Sequence, residues 1–342
     1  MSSTAPSILI FGTTGYLGGT ILVAVQKAFP AYSISVIVRH DKQDAALKAT
    51  GVTVVLHGGT ENVQELEKTI SEFDVVINAA DADDLVLVNA IIEGLKVRKE
   101  KTGKRAVFFH VSGAYVASDA SQGVWDPNFK ELSDIDEAAL RAVPATAVHR
   151  HVENRSAVLV QTLEAIFEAD AAKDIEGYQL SPSAVWGKSN GPVRKDGTLV
   201  LQTYLSVFGK GVTVGPGSNR MPTVHIDDLA DLAVLILKRA LSGVDADGSP
   251  YAKYYFGESR VEQQKDLAAG CVKALVQLGK LENDQIKTVS VEEASAYFKY
   301  AGALATNWVV RADRGRAIGW TPTRLGSFTD EMLELLRPVV NQ

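Results

Sequence analysis

The residues with the most obvious chemistry form one short run, Gly12–Gly18, reading GTTGYLG. Gly12, Gly15 and Gly18 carry a spacing with three separate uses. The first glycine permits a tight turn, the second lets the backbone approach a diphosphate, and the third lets a helix pack close to a strand. Thr13 and Thr14 add hydroxyl donors, and Tyr16 and Leu17 complete the turn. A phosphate there would face exposed amide hydrogens and the positive end of the following helix. About twenty residues on, Arg39 stands where a carboxylate would accept hydrogen bonds from ribose hydroxyls. A guanidinium can only donate, and it suits a 2′-phosphate; Lys42 adds charge nearby. The pattern predicts NADP(H), with NAD(H) as the alternative. An ordinary glycine-rich loop and a solvent-facing arginine are the plainer readings of the same residues.

These residues need a strand before the turn and a helix after it. Ile8–Phe11 is a short apolar run, a helical pattern continues to about Phe29, and a second apolar run, Ser33–Val38, ends on Arg39. Further strands are predicted at Val52–Leu56, Asp74–Asn78 and Ala106–Val111. Helices are predicted at Val63–Ile70 and Asp84–Arg98, the latter with Leu85, Val88, Ile91, Ile92 and Leu95 on one face. The fourth strand closes on Asn78, Ala79 and Ala80, and the fifth on Ser112. Strands alternating with helices predict an α/β fold, a Rossmann-type doubly wound parallel sheet covered on both faces, with a smaller C-terminal substrate-binding region. Residues 113–145 read as a long functional or mobile loop with one short helix. A long helix is expected over 146–170 and a strand over 178–183. Later come a helix near 199–208, a strand end feeding a strongly apolar helix over 224–240 capped by Asp227 or Asp228, a strand at 254–256, and helices over 261–279, 291–300 and 329–336. The nucleotide-binding domain is expected to comprise 1–183 plus about 212–240. The smaller region then comprises about 184–211 and 241–342.

At 342 residues and 46% hydrophobic content the chain can bury a large core. Its net charge of -6 is spread over interspersed residues, so no basic face for nucleic acid stands out. The single Cys271 lies in a helical pattern and reads as a buried core thiol; no metal site is expected. No signal segment and no run of 18 apolar residues occurs, so a soluble, cytoplasmic protein without a membrane partner is expected.

In this order the pieces resemble the extended branch of the short-chain dehydrogenase/reductase superfamily, which holds NAD-dependent epimerases and dehydratases and many carbonyl reductases. The resemblance runs nearly end to end. It rests on GTTGYLG at Gly12, DVVINAA at Asp74, HVSGAY at His110, LSPSAVWG at Leu180, VHIDDLA at Val224 and ADRGRAIGWTP at Ala312. It implies that Asn78, Ala79 and Ala80 border the adenosine side of the cofactor through backbone atoms. It also implies that Pro182, Ser183 and Val185 approach the carboxamide end, and that Asn89 has a packing or hydrogen-bonding role. A homodimer through helices 84–98 and 146–170 is implied in the same way.

The chain departs from that family at its catalytic centre. Members carry a Ser/Thr together with a Tyr-x-x-x-Lys pair at the start of the long helix; here that stretch reads PATAVHRHVENRSA, Pro144–Ala157. With Glu153 matched to the family's acidic residue, His149 takes the lysine position, where it would also border the cofactor, and Ala145 takes the tyrosine position. The catalytic candidates are then Ser112, Tyr115 and His149. A phenol ordinarily titrates near pH 10 and needs a neighbouring charge to act at neutral pH, whereas imidazole titrates near neutrality. His151 and Glu153 read as structural. Tyr204, Phe208, Arg220, Met221, His225 and Trp186 are candidates for the substrate side.

Three functions compete. The first is an NADP(H)-dependent oxidoreductase reducing a carbonyl or activated double bond of a small organic substrate. The second is an epimerase, isomerase or lyase of the same fold without net redox. The third is a non-catalytic NADP(H)-sensing regulatory protein.

Overall fold

The computed structural model describes residues 5–117, 119, 121–146, 155–195, 211–296, 301–327, 329–330, 332–334 and 337. Seven parallel strands form the central sheet: β1 (Ser7–Phe11), β2 (Ser33–Val38), β3 (Val54–His57), β4 (Val75–Asn78), β5 (Val107–Val111), β7 (Glu176–Pro182) and β11 (Tyr254–Gly257). The strand numbering leaves room for β6 (Leu132–Ser133), β8 (Ala184–Trp186), β9 (Gly211–Val214) and β10 (Arg220–His225), which lie outside that sheet. Its order is β11-β7-β5-β4-β1-β2-β3, so the winding reverses between β1 and β4. This is the doubly wound Rossmann-type sheet that the alternation predicts.

Strand periodicity explains the two covered faces. On β1, Ile8 and Ile10 point to one side, where they meet Ile21, Leu22 and Val25 of α1 (Tyr16–Ala28). Leu9 and Phe11 point to the other. There they join Leu66 and Ile70 of α3 (Val63–Ile70), Val88, Ile91 and Leu95 of α4 (Leu85–Thr102), and Ile166. The short α2 (Asp44–Lys48) precedes β3. Each such aliphatic side chain taken from water contributes about 1.5–3 kcal/mol.

Residues 137–146 form a helix, α5 (Glu137–Thr146), in keeping with the one short helix expected within 113–145. Asp136 accepts a hydrogen bond from the Ala139 amide at 3.0 Å, and Leu140 is buried. The next helix, α6, spans Arg155–Ala171 and matches the larger part of the long helix expected over 146–170, while 147–154 lie outside the described residues. Residues 261–263 belong to a strand, β12 (Arg260–Gln263), antiparallel to β10; α8 begins only at Gln264 and ends at Gln277.

The helix after β10, α7 (Ile226–Leu241), is capped by neither aspartate. His225 Nδ1 accepts from the Asp227 amide at 3.1 Å. Asp228 is buried and bound to Arg324, whose backbone amide and guanidinium lie 2.9 and 2.6 Å from its two oxygens. The Trp320 indole donates to the Asp228 carbonyl at 2.8 Å. The C-terminal segment is thereby fastened to α7. Two small pairs complete the strands: β13 (Ile286–Val289) beside β9, and β14 (Val310–Arg311) beside β6.

A buried ion pair joins α6 to the edge of the sheet. Lys253, immediately before β11, places Nζ 2.8 and 2.9 Å from the two oxygens of Asp170, and both side chains are excluded from solvent. The Gly177 amide donates to the same carboxylate at 3.2 Å. Removing one member strands a charge in the interior. Asp170→Ala is expected to cost about 3–5 kcal/mol, read as a lowered urea midpoint. A loss below about 1 kcal/mol would mean that solvent reaches Lys253.

Candidate functional site: a cradle at the sheet crest

The reversal between β1 and β4 brings two backbone segments together above the sheet. Gly12 has φ +81°, and a Cβ on it would lie 2.2 Å from the Ala79 carbonyl oxygen. A Cβ on Gly18 would lie 2.2 Å from the Gly12 oxygen. Strand, turn and helix therefore meet backbone to backbone. The turn closes through the Gly15 amide, which donates to Gly12 O at 2.9 Å. Gly15 then caps α1 with no side-chain hydrogen bond, and the first turn holds no acidic residue. The helix start is left with amide donors and a positive dipole end, the combination that holds an anion. Thr13 is fully buried and its hydroxyl has no partner among the described residues. Thr14 is half-buried in the turn and Leu17 packs against the core. Tyr16 sends its hydroxyl to the Gly187 carbonyl at 2.7 Å, binding the turn to the segment after β8.

A buried polar chain supports the opposite wall. Asn78 Oδ1 accepts from the Ala80 amide at 3.1 Å, and this fixes its Nδ2 toward His110 Nδ1 at 3.2 Å. Nδ1 of His110 is then the acceptor, and its proton sits on Nε2. Burial pulls the His110 pKa down to about 4, opposed by the Ala82 carbonyl. That carbonyl also accepts from Thr162 of α6 at 3.1 Å. Asn78 thus shapes the Ala79–Ala80 turn with its side chain, beyond the backbone contacts that the sequence suggests for it.

Arg39 directly follows β2, is exposed, and makes no ion pair among the described residues. Ser112 follows β5; its hydroxyl is buried with no partner among the described residues, and its amide donates to Leu180 O at 2.8 Å. The Tyr115 hydroxyl lies 3.4 Å from Thr306 Oγ1, with its ring edge-on to Trp308. Pro182 ends β7; Ser183 donates its hydroxyl to Gly257 O at 2.7 Å; Val185 pairs with Val224 in the smaller sheet. His149, with His151 and Glu153, lies outside the described residues, as do Tyr204 and Phe208. Trp186, Met221 and His225 are buried in packed surroundings. Arg220 is exposed with its guanidinium 4.2 Å over the Trp125 ring. Asn89 is exposed on α4, which excludes the packing alternative of the packing or hydrogen-bonding role expected of it.

One group goes unnoticed in the sequence. Asn307 is fully buried and binds Asp119, Val124 and Arg220, while Asn219 holds the Leu304 and Thr306 carbonyls at 3.1 and 2.7 Å. The available signal was an amide inside the apolar run ALATNWVV, because a buried amide requires partners.

Comparison with known proteins agrees with this geometry. The UDP-glucose 4-epimerase of Thermotoga maritima, solved with UDP-glucose, superposes with a TM-score of 0.64 at 13% identity over 98% of this chain and 99% of that one. The dTDP-glucose 4,6-dehydratase of Bacillus anthracis, solved with NAD, gives 0.65 at 13% identity over 99% and 97%. The fold is that of these epimerase and dehydratase structures. Within this fold, residues 4–137 match the NmrA-like family. An oxidase of Acremonium sp, ucsJ, is 25% identical over 304 residues, 84% of each chain. An uncharacterised protein of Saccharomyces cerevisiae is 21% identical over 94% of this chain and 97% of its own. Among the described residues no helix is long and apolar enough to cross a membrane, and no cluster of ligating side chains could hold a metal.

The residues present fit a dinucleotide. A glycine cradle, an uncapped helix start and an open arginine lie along one crest, at the reversal point where open doubly wound sheets take ligands. Two outcomes follow. Gly12→Ala meets both a positive φ and a backbone collision, so a loss above about 2 kcal/mol is expected in urea denaturation; a near-neutral effect would mean that the turn relaxes freely. His110 contributes its stability at neutral pH and loses it on acidification. Below its ordinary pKa of 6.5 the unfolded chain binds a proton that the folded chain refuses until about pH 4. Lowering the pH from 7 to 5 is expected to cost about 2 kcal/mol through this group. His110→Asn should remove that part of the acid sensitivity, and equal slopes for both proteins would refute the assignment.

Proposed function

We propose that the protein is an NADP(H)-dependent oxidoreductase that reduces a carbonyl group or an activated double bond of a small organic substrate. The observation that carries this reading is the end of β2. Arg39 stands exposed there with no carboxylate partner among the described residues, in the position from which the ribose edge of a dinucleotide is read. The uncapped start of α1 supports diphosphate binding, and the similarity to a protein named as an oxidase supports redox chemistry. When bound, the nicotinamide supplies the hydride. The chain's own part is to hold the cofactor, exclude water and deliver a proton, from Tyr115 or His149, to the oxygen or carbon that receives it.

A second reading, an isomerase or lyase without net redox or a nucleotide-sensing regulator, is favoured by the missing Tyr-x-x-x-Lys pair in Pro144–Ala157. Both readings need the nucleotide; only the first consumes it. Titration calorimetry with NADPH and NADH is expected to show tighter NADPH binding. Arg39→Asp should weaken NADPH at least about tenfold, about 1.4 kcal/mol, and change NADH little. Equal loss of both would remove the case for the phosphorylated cofactor. NADPH bound but never consumed across a panel of aldehydes, ketones and enones would shift the reading to the second.

A further inference from the structure

The Tyr115 phenol is held from two sides by segments distant in the chain. Its hydroxyl meets Thr306 Oγ1 at 3.4 Å, and its ring meets Trp308 edge-on with centroids 5.5 Å apart. Between those two residues sits Asn307, whose side chain has no freedom left. Nδ2 donates to Asp119 Oδ2 and to the Val124 carbonyl, each at 2.9 Å, and Oδ1 accepts from the Arg220 amide at 2.8 Å. Its backbone amide donates to Asp119 Oδ1 at 2.8 Å, and its carbonyl accepts from the Asp119 amide at 2.9 Å. Asp119 and Val124 lie on the segment that leaves Tyr115. One buried amide therefore locks the loop that bears the phenol to the segment that touches it, and the Thr306 carbonyl is held separately by Asn219.

A phenol has a single rotatable proton, and a fixed hydroxyl neighbour decides which way it points and how readily it leaves. In a chain without the Tyr-x-x-x-Lys pair, a neighbour of that kind acquires a role. We propose that Thr306, set in place by Asn307, is a positioning residue for Tyr115. It orients the phenol hydroxyl for proton delivery and sets the pH range over which the phenol keeps its proton. This rests on the reading of Tyr115 as proton donor.

The test uses the full chain with NADPH and phenanthrenequinone as the carbonyl probe, in Thr306→Val, Thr306→Ser and Tyr115→Phe. Thr306→Val keeps the side-chain volume and removes the hydroxyl. It is expected to lower kcat about tenfold, with KM for NADPH unchanged and the alkaline limb of the kcat profile displaced, and Thr306→Ser should restore both. In parallel, the near-ultraviolet titration of Tyr115, taken as the difference from Tyr115→Phe, should shift in Thr306→Val and return in Thr306→Ser. An unmoved Tyr115 titration in Thr306→Val overturns the proposal, as does a loss of kcat that serine fails to rescue. If the titration shifts while Tyr115→Phe retains full turnover, the contact is upheld and the assignment of Tyr115 as proton donor is the part that falls.

Discussion

The architecture depends on a contact with no side chain in it. Gly12 and the Ala79–Ala80 peptide touch backbone to backbone where the sheet reverses its winding, and Gly18 presses α1 onto the same turn. No other residue type leaves space there. The contact sets the height of the helix start above the strands, and that height decides whether amide hydrogens can converge on an anion. Asn78 and His110 serve the same end from beneath, because their hydrogen bonds hold the Ala79–Ala80 turn in the shape that Gly12 meets.

Much of the first, Rossmann-type half could be read from the chain because local signals and tertiary demands coincide in it. Apolar runs such as SILIF and DVVIN must be strands buried on both faces, and glycines placed after the first of them have one structural use. His110 was visible only as part of a motif. Its pairing with Asn78 depends on β4 and β5 lying side by side, a long-range fact that spacing does not reveal. The His225 cap of α7 was hidden for a different reason. Two aspartates at the helix start form the ordinary capping signal, and the remote Arg324 took Asp228 away from it.

The long segment after β5 is the clearest case of context overriding local pattern. Its polar, glycine-containing sequence reads as a functional or mobile loop with one short helix. In the fold, Asp119, Ser121, Gly123 and Val124 are tied to 305–307, and Gly123 O also accepts the amides of Ser218 and Asn219. None of those partners is near in sequence. The side chains that hold this region, Asn219 and Asn307, carry no charge and fit no catalytic pattern, so the one signal, an amide within the apolar run around Asn307, did not reveal which groups it must satisfy.

A single continuous apolar cluster runs from Ile8 on the first strand through Leu229 and Tyr255 to Trp308, Trp320 and Met332. The C-terminal part of the chain therefore supplies the lining of the very interior that the first half needs. It cannot be exchanged like a detachable module. A chimera that grafts another protein's C-terminal half here would inherit a mismatched seam along one whole side of the sheet.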